Sequence, residues 1–315
     1  MINDAVPKIL RFTAFCHCAW RAWRAFMHET RYYFCAKIAR SLDDECPAII
    51  MRRMAHGLER VLFHPDRYKE TDKLELANGL KTQLGRKDNR VPESQMAWAT
   101  RILHEFDSRQ SDFSGPVCPL AASKTERRPA PIAAADLLDL MRQRRSRRIF
   151  TQESLTREEK MLLVEAANSA PSTCNRQTLQ FLFVENEAAK VFLASTTAGG
   201  REFFADAGCI LLVLADARHY RYPEDRFNPY AEAGAAIQNI YLLCETIGLG
   251  CCWGSYTTFG SISSEPDVRR KLRIPDTLLI LGAVALGKSN QVVCQIPREE
   301  PASLCHFDAW GSKLK

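Results

Sequence analysis

Two short segments hold the residue types that could do chemistry. Arg144-Arg145-Ser146-Arg147-Arg148-Ile149-Phe150 places guanidinium groups on both sides of a hydroxyl, where a helical pattern ends. A guanidinium donates in a planar fork that matches phosphate or carboxylate oxygens, so this segment could hold an anion. Ala170-Pro171-Ser172-Thr173-Cys174-Asn175-Arg176-Gln177 is a turn of small hydrogen-bonding residues ahead of an apolar strand. Each segment also has a plain structural explanation. Cations are stabilising at a helix C-terminus, and turns are rich in Pro, Ser and Asn.

The elements that must position these segments can be read from periodicity. Ala134–Arg144 reads as a helix running into the arginines. Thr156 and Glu159 have capping-box spacing and open a helix through Asn168. A strand is expected over Thr178–Glu185, a helix over Glu187–Ser195, and a continuous apolar strand over Gly208–Ala215. Tyr230–Ile247 is a long helix, apolar on nearly every side, which belongs in the protein centre or a subunit interface. Gly248-Leu249-Gly250 stops it. Strands over Cys251–Tyr256 and Leu278–Leu286 follow, with a helix near Glu265–Leu272 between them. This irregular alternation argues for an α+β fold rather than a doubly wound sheet. No GxGxxG follows a strand, so a Rossmann dinucleotide site is not expected.

The chain divides into two regions, residues 1–130 and 131–315. The first reads as helical, with apolar residues at helical spacing over Met51–Phe63 and Met96–Phe106. It ends in a Pro-, Ser- and Ala-rich linker between about Asp107 and Pro131. The formal net charge is +6, and its positive excess lies in residues 1–130, which suggests an anionic partner or a solvated helical surface. Ile9–Phe34 carries Phe12, Phe15, Trp20, Trp23 and Phe26 among arginines. A core-packing or partner-binding helix is favoured there over an interfacial membrane helix. No uninterrupted apolar span is long enough to cross a bilayer, and no signal peptide is evident. The 12 cysteines do not resemble a disulfide framework; Cys209 and Cys244 sit in apolar runs, as small core residues do. A reducing, cytoplasmic setting is expected. Cys16-His17-Cys18 has no second Cys/His pair at zinc-like spacing, so no metal is expected. No nucleic-acid partner is expected.

Four blocks in order, RRSRRIF, AANSAPSTCNRQTLQFLFV, EAGAAIQNIYLLCETIGLGCCW and LILGAVALG followed by IPREE, resemble the nitroreductase family over about residues 135–300. The resemblance implies a nitroreductase-like α+β fold, with a central, mainly antiparallel sheet flanked by helices and a helical N-terminal extension. It also implies FMN bound at a homodimer interface. The matching positions are Arg144 and Arg298 for the phosphate, Ser146 for the phosphate or ribityl chain, and Arg148 for the pyrimidine edge of the ring. Pro171, Ser172, Asn175 and Gln177 would reach the flavin of the other subunit. Gly254, Ser255 and Tyr256 would offer backbone groups near the hydride-accepting nitrogen. Two features depart from the family: Thr178-Leu179 stands where many relatives have Pro-Trp, and Gly199-Gly200-Arg201-Glu202-Phe203 offers only Arg201 to hold the ring. No side-chain acid or base can be matched. Met54–Leu62 and His64-Pro65-Asp66-Arg67 resemble an extension on nitroreductase-like proteins of surface-polysaccharide loci; His56 and Glu59 within it read as a structural contact.

The activity implied is hydride transfer from NADH or NADPH through FMN to a small organic acceptor, such as a nitro compound or quinone. Two alternatives remain. One is a flavin dehydrogenase or oxidase of a biosynthetic intermediate. The other is a scaffold that docks through its basic N-terminal region.

Overall fold

The computed structural model describes residues 15–31, 47–86, 90–109, 131–151, 153–220, 223–256, 259–294 and 296–312. Most of the expected linker falls outside them. Helix α1 covers residues 15–31. Then come α2 (Pro47–Phe63), α3 (Glu70–Gly85) and α4 (Glu93–Ser108). Their apolar faces meet in one core around Met51, Leu58, Leu80, Ile102 and Phe106. His56 Nδ1 lies 3.3 Å from Glu59 Oε2 on the side of α2, a half-buried contact within one helix.

The second region holds α5 (Ala134–Gln143), α6 (Arg157–Asn168), β1 (Leu179–Val184), α7 (Glu187–Thr196), β2 (Cys209–Asp216), α8 (Asn228–Thr246), β3 (Leu249–Gly254), α9 (Phe259–Leu272) and β4 (Leu278–Lys288). The strands form one antiparallel sheet in the order β1-β2-β4-β3. This is the α+β architecture the sequence implies. β2 lies inside the sheet and all eight of its residues are buried. Alternate residues feed two cores, one on each face. Cys209, Leu211 and Val213 pack with α6 and α8 on one side. Ile210, Leu212 and Leu214 pack with residues of α7 and α9 on the other. Cys209 and Cys244 are buried free thiols, and burial pushes the Cys209 thiol up to about 12.

The capping box at Thr156 forms in both directions: the Glu159 N–H donates to Thr156 Oγ1 at 3.1 Å and the Thr156 N–H to Glu159 Oε2 at 2.8 Å. α8 ends at Thr246 with Ile247 as its cap, and the chain turns at Gly248, whose φ of +70° is a left-handed conformation that glycine adopts without a Cβ penalty. β3 begins at Leu249, earlier than expected, and closes at Gly254, so Ser255 and Tyr256 lie beyond the strand. α5 stops at Gln143, leaving Arg144 as its extended C-cap.

α1 does not bury its aromatic residues in the core. Phe15, Trp20, Trp23 and Phe26 are exposed. The helix attaches at its C-terminal end to the second region, where His28 Nε2 lies 2.8 Å from Glu265 Oε2 on α9. Among the described residues, no helix is long and apolar enough to cross a membrane.

Candidate active site

The arginine segment runs as extended chain beside the free edge of β3. The Arg147 N–H donates to the Cys251 carbonyl at 3.0 Å. In extended chain, successive side chains point to opposite sides. Arg147 turns inward, where its guanidinium pairs with Glu245 of α8 at 2.9 Å and donates to the Gln291 carbonyl at 2.7 Å. The same Glu245 accepts the Arg145 N–H at 2.9 Å, and the Gln291 side chain accepts the Arg148 and Ile149 N–H groups at 2.7 and 3.1 Å. The segment is therefore held by its backbone and by Arg147, which leaves Arg144, Ser146 and Arg148 on the other side.

Those three residues converge on Tyr241 and Cys252. The Arg144 guanidinium lies over the Tyr241 ring, 5.0 Å from its centre, and its buried Nε has no hydrogen-bond partner among the described residues. Ser146 Oγ and Tyr241 Oη share a hydrogen bond of 3.2 Å, and Tyr241 Oη accepts the Trp253 N–H at 2.7 Å. Burial pushes the Tyr241 hydroxyl well above the ordinary phenol range, so it stays protonated. Burial also raises the Cys252 thiol, against the pull of Arg148 and Ser146 beside it. The Arg148 guanidinium is exposed and sits 5.8 Å from the Phe203 ring centre.

Gly254 closes this cluster. A Cβ added there would come within 2.6 Å of the Phe204 ring, and one added at Gly199 would come within 2.5 Å of the Ser255 nitrogen. The Gly199–Phe204 stretch thus packs directly on the end of β3, where only bare backbone fits. Tyr256 takes a different place. Its ring is 1% exposed in the core on the α7/α9 side, and its hydroxyl has no partner among the described residues. Arg298 is exposed and lines a groove with Arg142, Gln143 and Arg145 at the end of α5.

The second segment is built around Glu232, a buried carboxylate on α8. Ser172 Oγ donates to Glu232 Oε2 at 3.1 Å, and the Thr173 N–H donates to Oε1 at 3.0 Å. The Gln177 N–H donates to Ser172 Oγ at 2.8 Å, and Gln177 Nε2 to Asn175 Oδ1 at 2.7 Å. Cys174, Asn175 and Gln177 all have positive φ, a conformation that costs free energy in non-glycine residues. Arg52 of α2 adds an outside clamp: its Nε and Nη2 donate to the Arg176 carbonyl at 3.2 and 2.9 Å. Pro171 is exposed beside this turn.

The two segments are not brought together within one chain. One borders β3 and the other leads into β1, at opposite edges of the sheet. Three strand spacings put those edges about 14 Å apart. Their anchors on α8, Glu232 and Tyr241, are separated by about 13 Å along the helix. Sequence reasoning missed both anchors, together with Glu245, Gln291 and Arg52. The available sign was an acid and a tyrosine on faces of α8 where neighbours such as Ala233, Ala236 and Ile240 are core residues.

The orphaned Arg144 Nε, with Ser146 and Arg148 on the same side of the segment, suits an anionic, phosphorylated ligand. Comparison with known proteins agrees in kind. The family model described as "Nitroreductase family" matches residues 141–198 and 185–288. An FMN reductase (NADPH) of Bacillus subtilis is 28% identical over 183 residues, covering 53% of this chain and 71% of the relative. A nitroreductase-type protein of Archaeoglobus fulgidus is 28% identical over 154 residues, covering 48% and 84%. The crystal structure of a nitroreductase-type protein from Parabacteroides distasonis superposes with a TM-score of 0.50 at 22% identity, covering 56% of this chain and 99% of that one, a likeness of fold. Residues 141–288, with their antiparallel sheet, central helix and arginine-lined edge, are a nitroreductase-family domain.

Proposed function

We propose that this chain is an FMN-dependent oxidoreductase that draws hydride from NADH or NADPH and delivers it to a small organic acceptor such as a nitro compound or quinone. The carrying observation is the set of Arg144, Ser146 and Arg148 on the open side of a segment whose other side is fully engaged. FMN, when bound, supplies the hydride chemistry, and the protein supplies binding, orientation and electrostatics. Arg144 and Ser146 bind the phosphate end; Arg298 lies instead with Arg142 and Arg145 in the groove at the end of α5. Arg148 places positive charge at the ring edge, where it stabilises negative charge that develops there. The FMN reductases of B. subtilis support the cofactor assignment.

The site is completed by a second copy. Ser172, Asn175 and Gln177 lie toward the sheet edge opposite Arg144, so the reading pairs each β3 edge with the partner's turn. Apolar side chains left exposed on α5 (Leu137, Leu138, Met141) and α6 (Met161, Leu162) supply the surface for such pairing. An obligate interface typically buries more than about 2,000 Å².

Two measurements test this reading. Anaerobic NADH or NADPH should bleach the flavin absorbance of the purified protein, and a quinone should restore it; absorbance unchanged by either nucleotide argues against the donor. Light scattering on the FMN-bound protein should give twice the chain mass. A monomer that keeps its FMN removes the shared site.

A further inference from the structure

Among the described residues, none of the second region covers the apolar face of α1. Phe15, Trp23 and Phe26 are 69%, 57% and 60% exposed, and Trp20 and Met27 are 46% and 47% exposed. At 100° per residue these five fall within an arc of about 140°. Ala25, His28 and Glu29, which are half-buried toward the second region, lie on the opposite side of the helix. The docking is specific. His28 bonds Glu265, whose carboxylate is also held by Arg269 at 2.6 Å, and Arg31 reaches Asp276 at 3.4 Å. The helix is thus fixed by one face while its aromatic face points directly away from the domain.

We propose that this face docks α1 in the interface of an anionic lipid membrane, with the oxidoreductase domain held at the surface. Charge selects the partner. In sequence, Lys8, Arg11, Arg21, Arg24 and Arg31 stand against only Asp4 and Glu29 in the first 31 residues, an excess of basic charge. Arg24 borders the aromatic arc, and its guanidinium lies 5.6 Å from the Trp20 ring centre. Indole and phenyl rings beside arginines match the polarity gradient between acyl chains and headgroup phosphates. Geometry selects it too. A convex face directed away from its own domain can meet a flat surface along its full length of about 25 Å, with no cleft needed. The docked end keeps the domain outside the acyl region, as expected of an interfacial rather than a spanning helix.

The test is co-sedimentation of the full chain with vesicles of phosphatidylcholine alone and of phosphatidylcholine mixed with phosphatidylglycerol. The protein should sediment with the mixed vesicles, less so as salt is raised. Trp23→Ala with Phe26→Ala should lower the partition constant about tenfold or more. Arg24→Ala should lower it about fivefold on the anionic vesicles only. These positions are exposed, so unchanged thermal melts show that the variants fold. Failure to sediment with either vesicle overturns the proposal, as does equal sedimentation of the Trp23/Phe26 variant. A third overturning result is a larger wild-type mass by light scattering that falls when Trp23 and Phe26 are changed, because the face is then filled by a second copy.

Discussion

Arg144 and Arg147 are three residues apart in a row of identical charges, yet they have opposite tasks. Arg147 is tied to Glu245 and to the Gln291 carbonyl, whereas Arg144 stacks on Tyr241 with its Nε unpartnered. Arg144→Ala should therefore weaken FMN binding about tenfold or more, the loss expected for a charge-assisted phosphate contact of about 1.5–3 kcal/mol. Arg147→Ala should change FMN affinity little but lower stability by about 1–3 kcal/mol, because Glu245 is left mostly buried without its partner. Fluorescence titration with FMN and thermal melts separate the two; equal losses of affinity would mean that the segment's two sides are wrongly assigned. The outward set was legible from the family pattern, and the alternation of extended chain is its physical reason. Tyr241 was not: its ring belongs to an apolar helix pattern, and only its hydroxyl, bonded to Ser146 and the Trp253 N–H, reveals the task.

At the scale of elements, local chemistry was the most readable. The Thr156/Glu159 capping box opens α6 as its spacing requires, and Glu159 also pairs with Lys288 at the end of β4, joining helix to sheet. The Lys288 ammonium holds the Glu159 carboxyl below the usual range, more than offsetting the opposing effect of burial. A lowered folded-state pKa contributes stability above the unfolded carboxylate pKa, and that contribution is lost as pH falls through the folded value. Lys288→Met should thus lower stability at neutral pH and shrink the acid-dependent loss, as read by denaturant melts across the acid range. An unchanged pH profile would show that the pair adds nothing. Element ends were less readable. Leu249 and Gly250 looked like a helix stop, yet they already pair with Lys288 and Gly287 as the first residues of β3. Glycine weakens the local strand signal even where pairing forms.

At the scale of the molecule, composition separated a basic helical region from an α+β domain but not how the two meet. α2–α4 form their own core and reach the second region through Arg52, which clamps the turn at Arg176. α1 instead attaches to α9, across 237 positions of sequence at His28 and Glu265. Periodicity reports which face of a helix is apolar, not whether that face is filled, so the aromatic stretch looked like core or interface until its exposure was seen. The separation of the two motifs to opposite sheet edges was likewise invisible in their order, because strand order, not sequence order, sets that distance. All of these features converge on one claim, that the arginine-lined edge of β3 holds FMN. The most direct test is the cofactor content of the purified protein. Heat release followed by chromatography should yield FMN at about one per chain, bound without a covalent link. A colourless protein that takes up no FMN on reconstitution would contradict the account.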